Sequence, residues 1–139
     1  MADITLTASR VSPVNETEYV AWTLLAGAAI TRGQTVAIDT NGKAVLADGS
    51  TSAQNNVRGI ALNAAGAGDP VTIMVMGSLY GFDLASVAYD AVLYQSNTAG
   101  ALNDSAGGSD VDVVVGRVRP MHDGATPTKV LFVNIPAIM

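Results

Sequence analysis

The stretch Gly33-Gln34-Thr35-Val36-Ala37-Ile38-Asp39-Thr40-Asn41-Gly42-Lys43-Ala44-Val45-Leu46-Ala47-Asp48 decides the fold class. Two runs of alternating apolar residues flank Asn41-Gly42. That dipeptide suits a two-residue type I′ turn, which needs positive φ at both central positions. Such a turn sets a register: Thr40 faces Lys43, Ile38 faces Val45, and Val36 faces Ala47. The face carrying Val36, Ile38, Val45 and Ala47 is then expected in the core. Ala37 and Leu46 share the other face, where a second layer or a neighbouring subunit is expected to cover them. Leu46 is thus a candidate subunit-interface residue.

Outward from the hairpin, short strands continue in both directions. Upstream, Tyr19, Ala21, Thr23 and Leu25 alternate with Val20, Trp22 and Leu24. The run is rich in β-branched and aromatic residues and Gly27 ends it, so a strand is favoured over two helical turns. Tyr19 and Trp22 are candidate subunit-interface residues. Residues 1–16 read as an extended N-terminal arm in which Ile4, Leu6 and Ala8 alternate with polar residues, followed by a link containing Pro13. The arm is either a terminal edge strand or a segment that adds a strand to a partner. Residues 17–139 form a single domain.

Downstream, Val57-Arg58-Gly59-Ile60-Ala61-Leu62 is a strand with an internal glycine, the mark of a bulge or a close backbone approach. Val71-Thr72-Ile73-Met74-Val75-Met76 is a strand expected to end at Gly77, and 78–86 a connection. The pattern then recurs. Asp90-Ala91-Val92-Leu93-Tyr94-Gln95 aligns with Gln34–Asp39, the strand around Gly116 with the strand around Gly59, and Thr128–Val133 with the Val71 strand. The spacing throughout is close to that between Gly59 and Gly116. Pseudo-repeats over about 28–77 and 85–135 are therefore expected. Two copies of hairpin, glycine strand and long strand suit an all-β fold, a small β-barrel or β-tulip-like sandwich, whose closure would protect its edges.

Composition supports this class. The 139 residues are 49% hydrophobic but 5% aromatic and 14% charged, with fourteen glycines. The core must be built from Val, Ala, Ile and Leu, and the glycines punctuate short strands. The net charge is −5, and the seven basic residues are scattered. A nucleic-acid groove needs clustered cations, so neither nucleic acid nor an anionic membrane is expected as a partner. There is no cysteine, which excludes disulfides, thiolate metal sites and Cys nucleophiles. The N-terminus has no basic, apolar signal pattern, and no apolar run reaches the ~20 residues of a membrane helix.

The chemistry-bearing residues do not converge. His122, the one histidine, sits in the turn sequence Pro120-Met121-His122-Asp123-Gly124 without metal-ligand company. Gly66-Ala67-Gly68-Asp69-Pro70 is glycine-rich, but a strand follows it, whereas a phosphate cradle needs a helix start. Asp110 and Asp112 share one side of a strand, too few oxygens for a cation. Asp39-Thr40-Asn41-Gly42 lacks the later ligands of a calcium loop. No enzyme, no cofactor and no metal are expected. A hydrolytic or carbohydrate-binding β-domain would need paired carboxylates or clustered aromatics.

Three runs carry a resemblance: Tyr19 through Val36, Val57 through Ala65, and Asp69 through Gly77. In order they give a small-residue run entering Ile-x-x-Gly-x-x-Val and an Asn-Gly hairpin, a Gly-hydrophobic-Ala strand, and a Pro-Val-Thr-hydrophobic strand ending in glycine. Together they resemble the capsid decoration (head cement) proteins of tailed bacteriophages, well over residues 19–77 and loosely over 85–135. In the second half Tyr89 stands where the first has its leading glycine.

The resemblance implies a virion structural protein made in the bacterial host cytoplasm. It implies a homotrimer on the outer capsid surface, binding the major capsid protein and stabilising the shell. A tail or head-fibre module is the alternative role. Ile4 and Leu6 are the candidate capsid contacts, by strand addition from the arm. Deleting residues 2–12 is then expected to abolish decoration and leave a folded domain.

Overall fold

The computed structural model describes residues 3–15, 17–48, 56–104, 114–121 and 128–135. Among the described residues a 3-10 turn over Ala8–Arg10 precedes ten strands: β1 Ser12–Pro13, β2 Val20–Leu25, β3 Thr35–Ile38, β4 Ala44–Leu46, β5 Gly59–Ala61, β6 Pro70–Tyr80, β7 Val92–Gln95, β8 Leu102–Asn103, β9 Val114–Met121 and β10 Thr128–Asn134. All pair antiparallel in one sheet of order β4-β3-β5-β6-β10-β9-β7-β8, with β1 and β2 also on β6. An isolated parallel bridge from Ala26 to Ala44 brings β4 up to the end of β2. The sheet curls into a half-barrel. The fold is all-β, as the alternation and turn residues require.

The long strand β6 is the spine. The sequence places a stop at Gly77, but the strand runs on to Tyr80. Gly77 and the residues after it pair with β10, Val133 opposite Gly77 and Leu131 opposite Leu79. A glycine ends a strand only where nothing pairs beyond it, and here β10 supplies the partner.

The strand order is a palindrome, and the registers repeat with it. Val36 lies opposite Gly59, and one repeat further on Leu93 lies opposite Gly116. Ala61 lies opposite Ile73, and in the second unit Val118 lies opposite Leu131. The same shift turns the pair Trp22 and Ile73 into Leu79 and Leu131. So the second half of β6 does for the second unit what β2 does for the first. Met76 lies opposite Asn134, its own counterpart in the second unit, which puts that pair on the pseudo-two-fold axis. Residues 78–80, expected in a connection, are part of this repeat.

The hairpin forms with a register different from the expected one. Val36 pairs with Leu46, Ala37 with Val45 and Ile38 with Ala44, a slip by a single position. Asp39 causes it. Its Oδ1 accepts from the Asn41 and Lys43 N–H groups at 2.8 and 2.9 Å, and its N–H donates to the Lys43 carbonyl at 2.9 Å. The loop is therefore Thr40-Asn41-Gly42, and within it only Gly42 takes positive φ, at 78°. This is a type I turn closed by a left-handed glycine, not a type I′ turn. The slip moves every pair. Ala37, Val45 and Ala47 face the main core, while Val36, Ala44 and Leu46 face a second cluster with Ile30, Ala61, Val71 and Ile73. Both faces of β3 are covered by this chain, and Leu46 is half-buried there.

The main core joins both halves: Ala37, Ile60 and Met74 from the first, Leu93, Val115 and Leu131 from the second. Backbone bonds stitch the ends together. The Gly100 N–H donates to the Ala47 carbonyl at 2.7 Å, and the Thr35 N–H to the Gly100 carbonyl at 3.0 Å. Buried Gln95 adds a bond from Nε2 to the Ala47 carbonyl at 3.0 Å.

The N-terminal segment is a stave of this barrel. The Ile4 N–H donates to the Leu102 carbonyl, the Thr7 N–H to Gly81 and the Asp83 N–H to Thr5, each at 2.8 Å. Asp3 bridges to Asn103 and Leu6 to Phe82. Residues 3–7 thus span the gap between β8 and the segment after β6. Val11 is 1% exposed and Ile4 8%, both inside the main core, with half-buried Leu6 against them.

Candidate interaction surface

The structure places Ile4 and Leu6, the expected capsid contacts, within the chain's own fold. Both side chains pack against the chain's own core, and the segment's backbone already pairs with Leu102, Gly81 and Phe82. Residues 3–7 make isolated bridges and no named strand, and the partners of those bridges are in the same chain. Asp3 fastens the end. Its Oδ1 accepts from Ser96 Oγ and from Asn103 Nδ2, the latter at 3.1 Å. The Ser96 bond is the main reason its carboxyl lies below the ordinary value; burial opposes this, and Thr98 and Asn103 add to the lowering.

Tyr19 and Trp22 lie where a partner can reach them. Tyr19 just before β2, Val20, Trp22 and Leu25 on β2 and Met76 on its partner β6 are exposed apolar side chains that flank this strand on both of its faces. Val20 is 56% exposed, Leu25 50% and Trp22 44%, large values for residues that sequence alone makes core candidates. Trp22 lies opposite Ile73 and Leu24 opposite Val71, so one face of β2 continues the second cluster. On the other face, Thr23 and Thr72 share a hydroxyl hydrogen bond of 2.8 Å. Leu46 belongs to the side chains under this cluster and is not among these exposed side chains. Tyr80, Tyr89 and Val114 are exposed elsewhere.

Among the described residues no group of three His, Asp or Glu side chains is placed to hold a metal ion. His122, Asp110 and Asp112 lie outside the described residues. Gly66–Pro70 is a tight turn. The Asp69 N–H donates to the Gly66 carbonyl at 3.0 Å, and Gly68 has φ 89°. An open groove between the arm and the end of β6 is lined by Thr5, Thr7, Arg10, Tyr80, Phe82 and Asp83. Among the described residues no helix is long and apolar enough to cross a membrane.

The fold and this surface define an all-β half-barrel with an exposed apolar strand. Comparison of the chain with protein-family models, with curated proteins and with solved structures finds no match.

Proposed function

We propose that this chain is a structural protein of a tailed-bacteriophage virion that decorates the outer surface of the major capsid protein shell and stabilises it. The observation that carries the reading is the exposed apolar surface of a charge-poor half-barrel. Trp22, Val20, Leu25 and Met76 stand in solvent on a scaffold whose core is complete without them. Such patches belong to surfaces that bind other surfaces. The sequence resemblance over residues 19–77 supplies the particular partner. The mechanism is binding, not catalysis: many copies each bury modest area, and a self-associated unit that engages several capsid subunits at once gains by effective concentration.

The test is cosedimentation of the purified chain with undecorated shells of the phage that encodes it. Saturable binding in many copies per shell, with a raised temperature of shell disruption, is expected. Binding at a single vertex or tail position favours the fibre role, and no binding to shells ends the proposal.

A further inference from the structure

We propose that two copies of this chain pair through the outer edge of β2, antiparallel about a two-fold axis at Trp22, to make one continuous sheet across the dimer. This goes beyond the capsid reading and does not depend on it, and it assigns exposed Trp22, Val20 and Leu25 to the contact between copies, leaving shell contact to the rest of the dimer's surface.

The edge has open valences. The Ala26 N–H donates to the Asp69 carbonyl at 2.8 Å, and the Gly68 N–H to the Ala26 carbonyl at 2.7 Å, so the peptide groups of Ala26 face β6. Alternation along an antiparallel strand points those of Leu24 and Trp22 the same way. The N–H and C=O groups of Ala21 and Thr23 therefore point outward. Further along, β4 covers the outward side: the Gly27 N–H donates to the Ala44 carbonyl at 2.7 Å, within the bridge from Ala26 to Ala44. The open part of the edge is thus centred on Trp22. Among the described residues no strand pairs with it, the one partner strand of β2 being β6.

The internal repeat shows what such an edge takes. Ser78 and Tyr80 are the counterparts of Ala21 and Thr23 in the second unit. Their outward side is filled: the Val14 N–H donates to the Ser78 carbonyl at 2.8 Å, and Ser12 lies opposite Tyr80 in an antiparallel pair. The second unit's edge thus holds an antiparallel strand, and among the described residues no strand lies on the matching edge of the first unit. The chain's own arm already lies on the filled one.

The composition of β2 selects a second copy as the occupant. Val20 to Leu25 carries no charge and no proline, the two commonest guards of an unpaired edge. In a chain of net charge −5, this is a place where two copies approach without facing like charges. The strand is also self-complementary about Trp22. Ala21 of one copy meets Thr23 of the other, so each outward N–H and C=O finds its opposite. On the face beside the second cluster the two indoles lie side by side, and Val20 meets Leu24. On the other face exposed Tyr19 meets exposed Leu25. The contact is isologous and closes as a dimer, unlike the three-fold ring that the sequence resemblance implies.

Trp22 is the single tryptophan, so the chain reports on itself. Sedimentation velocity and Trp22 emission are measured over a concentration series of the full chain, without capsid. A dimer is expected, with emission shifting to the blue and acrylamide quenching falling as it forms. Thr23→Pro removes an outward N–H while keeping the β2–β6 ladder, and Val20→Lys sets a cation against the partner's Leu24. Each is expected to weaken dimerisation about tenfold or more, with circular dichroism unchanged. A chain that stays monomeric overturns the proposal. So does a trimer, or a dimer whose Trp22 stays fully quenchable and which Val20→Lys leaves intact. Protection of Trp22 only when shells are added assigns the edge to the capsid and also overturns it. Shell binding by a strictly monomeric chain would sink this inference and leave the functional reading standing.

Discussion

Val11→Ala asks whether the N-terminal segment is part of the fold or an appendage. Val11 is 1% exposed. A methyl added at Gly33 would lie 2.9 Å from its Cγ2, and one added at Gly81 would lie 2.8 Å from the same atom. The side chain is therefore clasped between two residues that have no side chains of their own to move into a void. Truncation removes two methyl groups, about 0.8 kcal/mol each in transfer free energy. A poorly collapsing site adds a cavity term, for a total of about 2 kcal/mol. Ile4→Ala, at the other end of the segment, is expected to cost about 2–4 kcal/mol. Equilibrium urea unfolding followed by far-ultraviolet circular dichroism reads both. With a slope of about 2 kcal/mol per molar, Val11→Ala should lower the midpoint by about 1 M. An appendage predicts surface-like costs, within about 0.5 kcal/mol of zero. That result in both variants would refute the stave and restore a segment free to reach a partner. Deleting residues 2–12 acquires a different expected outcome. The deletion strips Ile4, Leu6 and Val11 from the core, so loss of capsid binding by such a chain would report unfolding.

Two glycines and one carboxylate give further outcomes. Gly59→Ala should cost about 2 kcal/mol or more, because its methyl would lie 2.8 Å from Ile73 Cβ and 2.9 Å from the Met74 carbonyl oxygen. Gly42→Ala meets nothing within 4 Å and suffers only from its φ of 78°, about 1 kcal/mol; urea midpoints in the opposite order would contradict this packing. Acid should loosen the N-terminal end: the Asp3 carboxyl titrates below its ordinary 3.8 in the folded chain, so its contribution is full above that value and is lost as pH falls through the lowered one. Asp3→Asn should therefore be less stable than the parent at about pH 5 and converge with it as pH falls through the lowered value, and a gap that persists in acid would show the latch is not electrostatic.

Strands were legible where the signal is local. The runs around Val36, Val45, Ile73, Val118 and Leu131 alternate or are continuously apolar, and each forms a strand. The repeat spacing was legible because Gly59 and Gly116 both sit where a neighbouring strand crowds the backbone. Register was not legible, because Asn41-Gly42 satisfies two different turns. The choice between them is made by the Asp39 carboxylate, which captures two N–H groups. The end of β6 was misplaced for a non-local reason, since the strand continues past Gly77 only because β10 lies beside it. Of the candidate surface, the structure shows the exposure of Tyr19 and Trp22. Tyr19 and Trp22 stand out as aromatics on a short strand, but alternation cannot say whether a two-faced apolar strand is central or at an edge. Ile4 and Leu6 carry the same pattern and differ only in having Leu102 and Phe82 for neighbours. Leu46 needed the second cluster, built by Ile30 and Ala61, to show that its cover is intramolecular.

The repeat makes the difference between the two halves informative. Two equivalent strands, β2 and the end of β6, each present one outward edge. One chain has one N-terminal segment, and it lies on the end of β6. The tether holds that segment close, so the bond is intramolecular and does not depend on concentration. Among the described residues no second tether serves β2, so in the proposed dimer its occupant is the other copy and its occupancy rises with concentration. In the proposed dimer, fold stability and assembly are separated onto different residues. Val11 and Ile4 govern the filled edge, where substitutions unfold the chain. Thr23 and Val20 govern the open edge, where a substitution leaves the core of Met74, Leu93 and Leu131 untouched. A half-barrel with repeated registers that closes one copy of an edge and, among the described residues, leaves the other unpaired thus holds together as a folded unit while carrying a strand that the proposed dimer would pair.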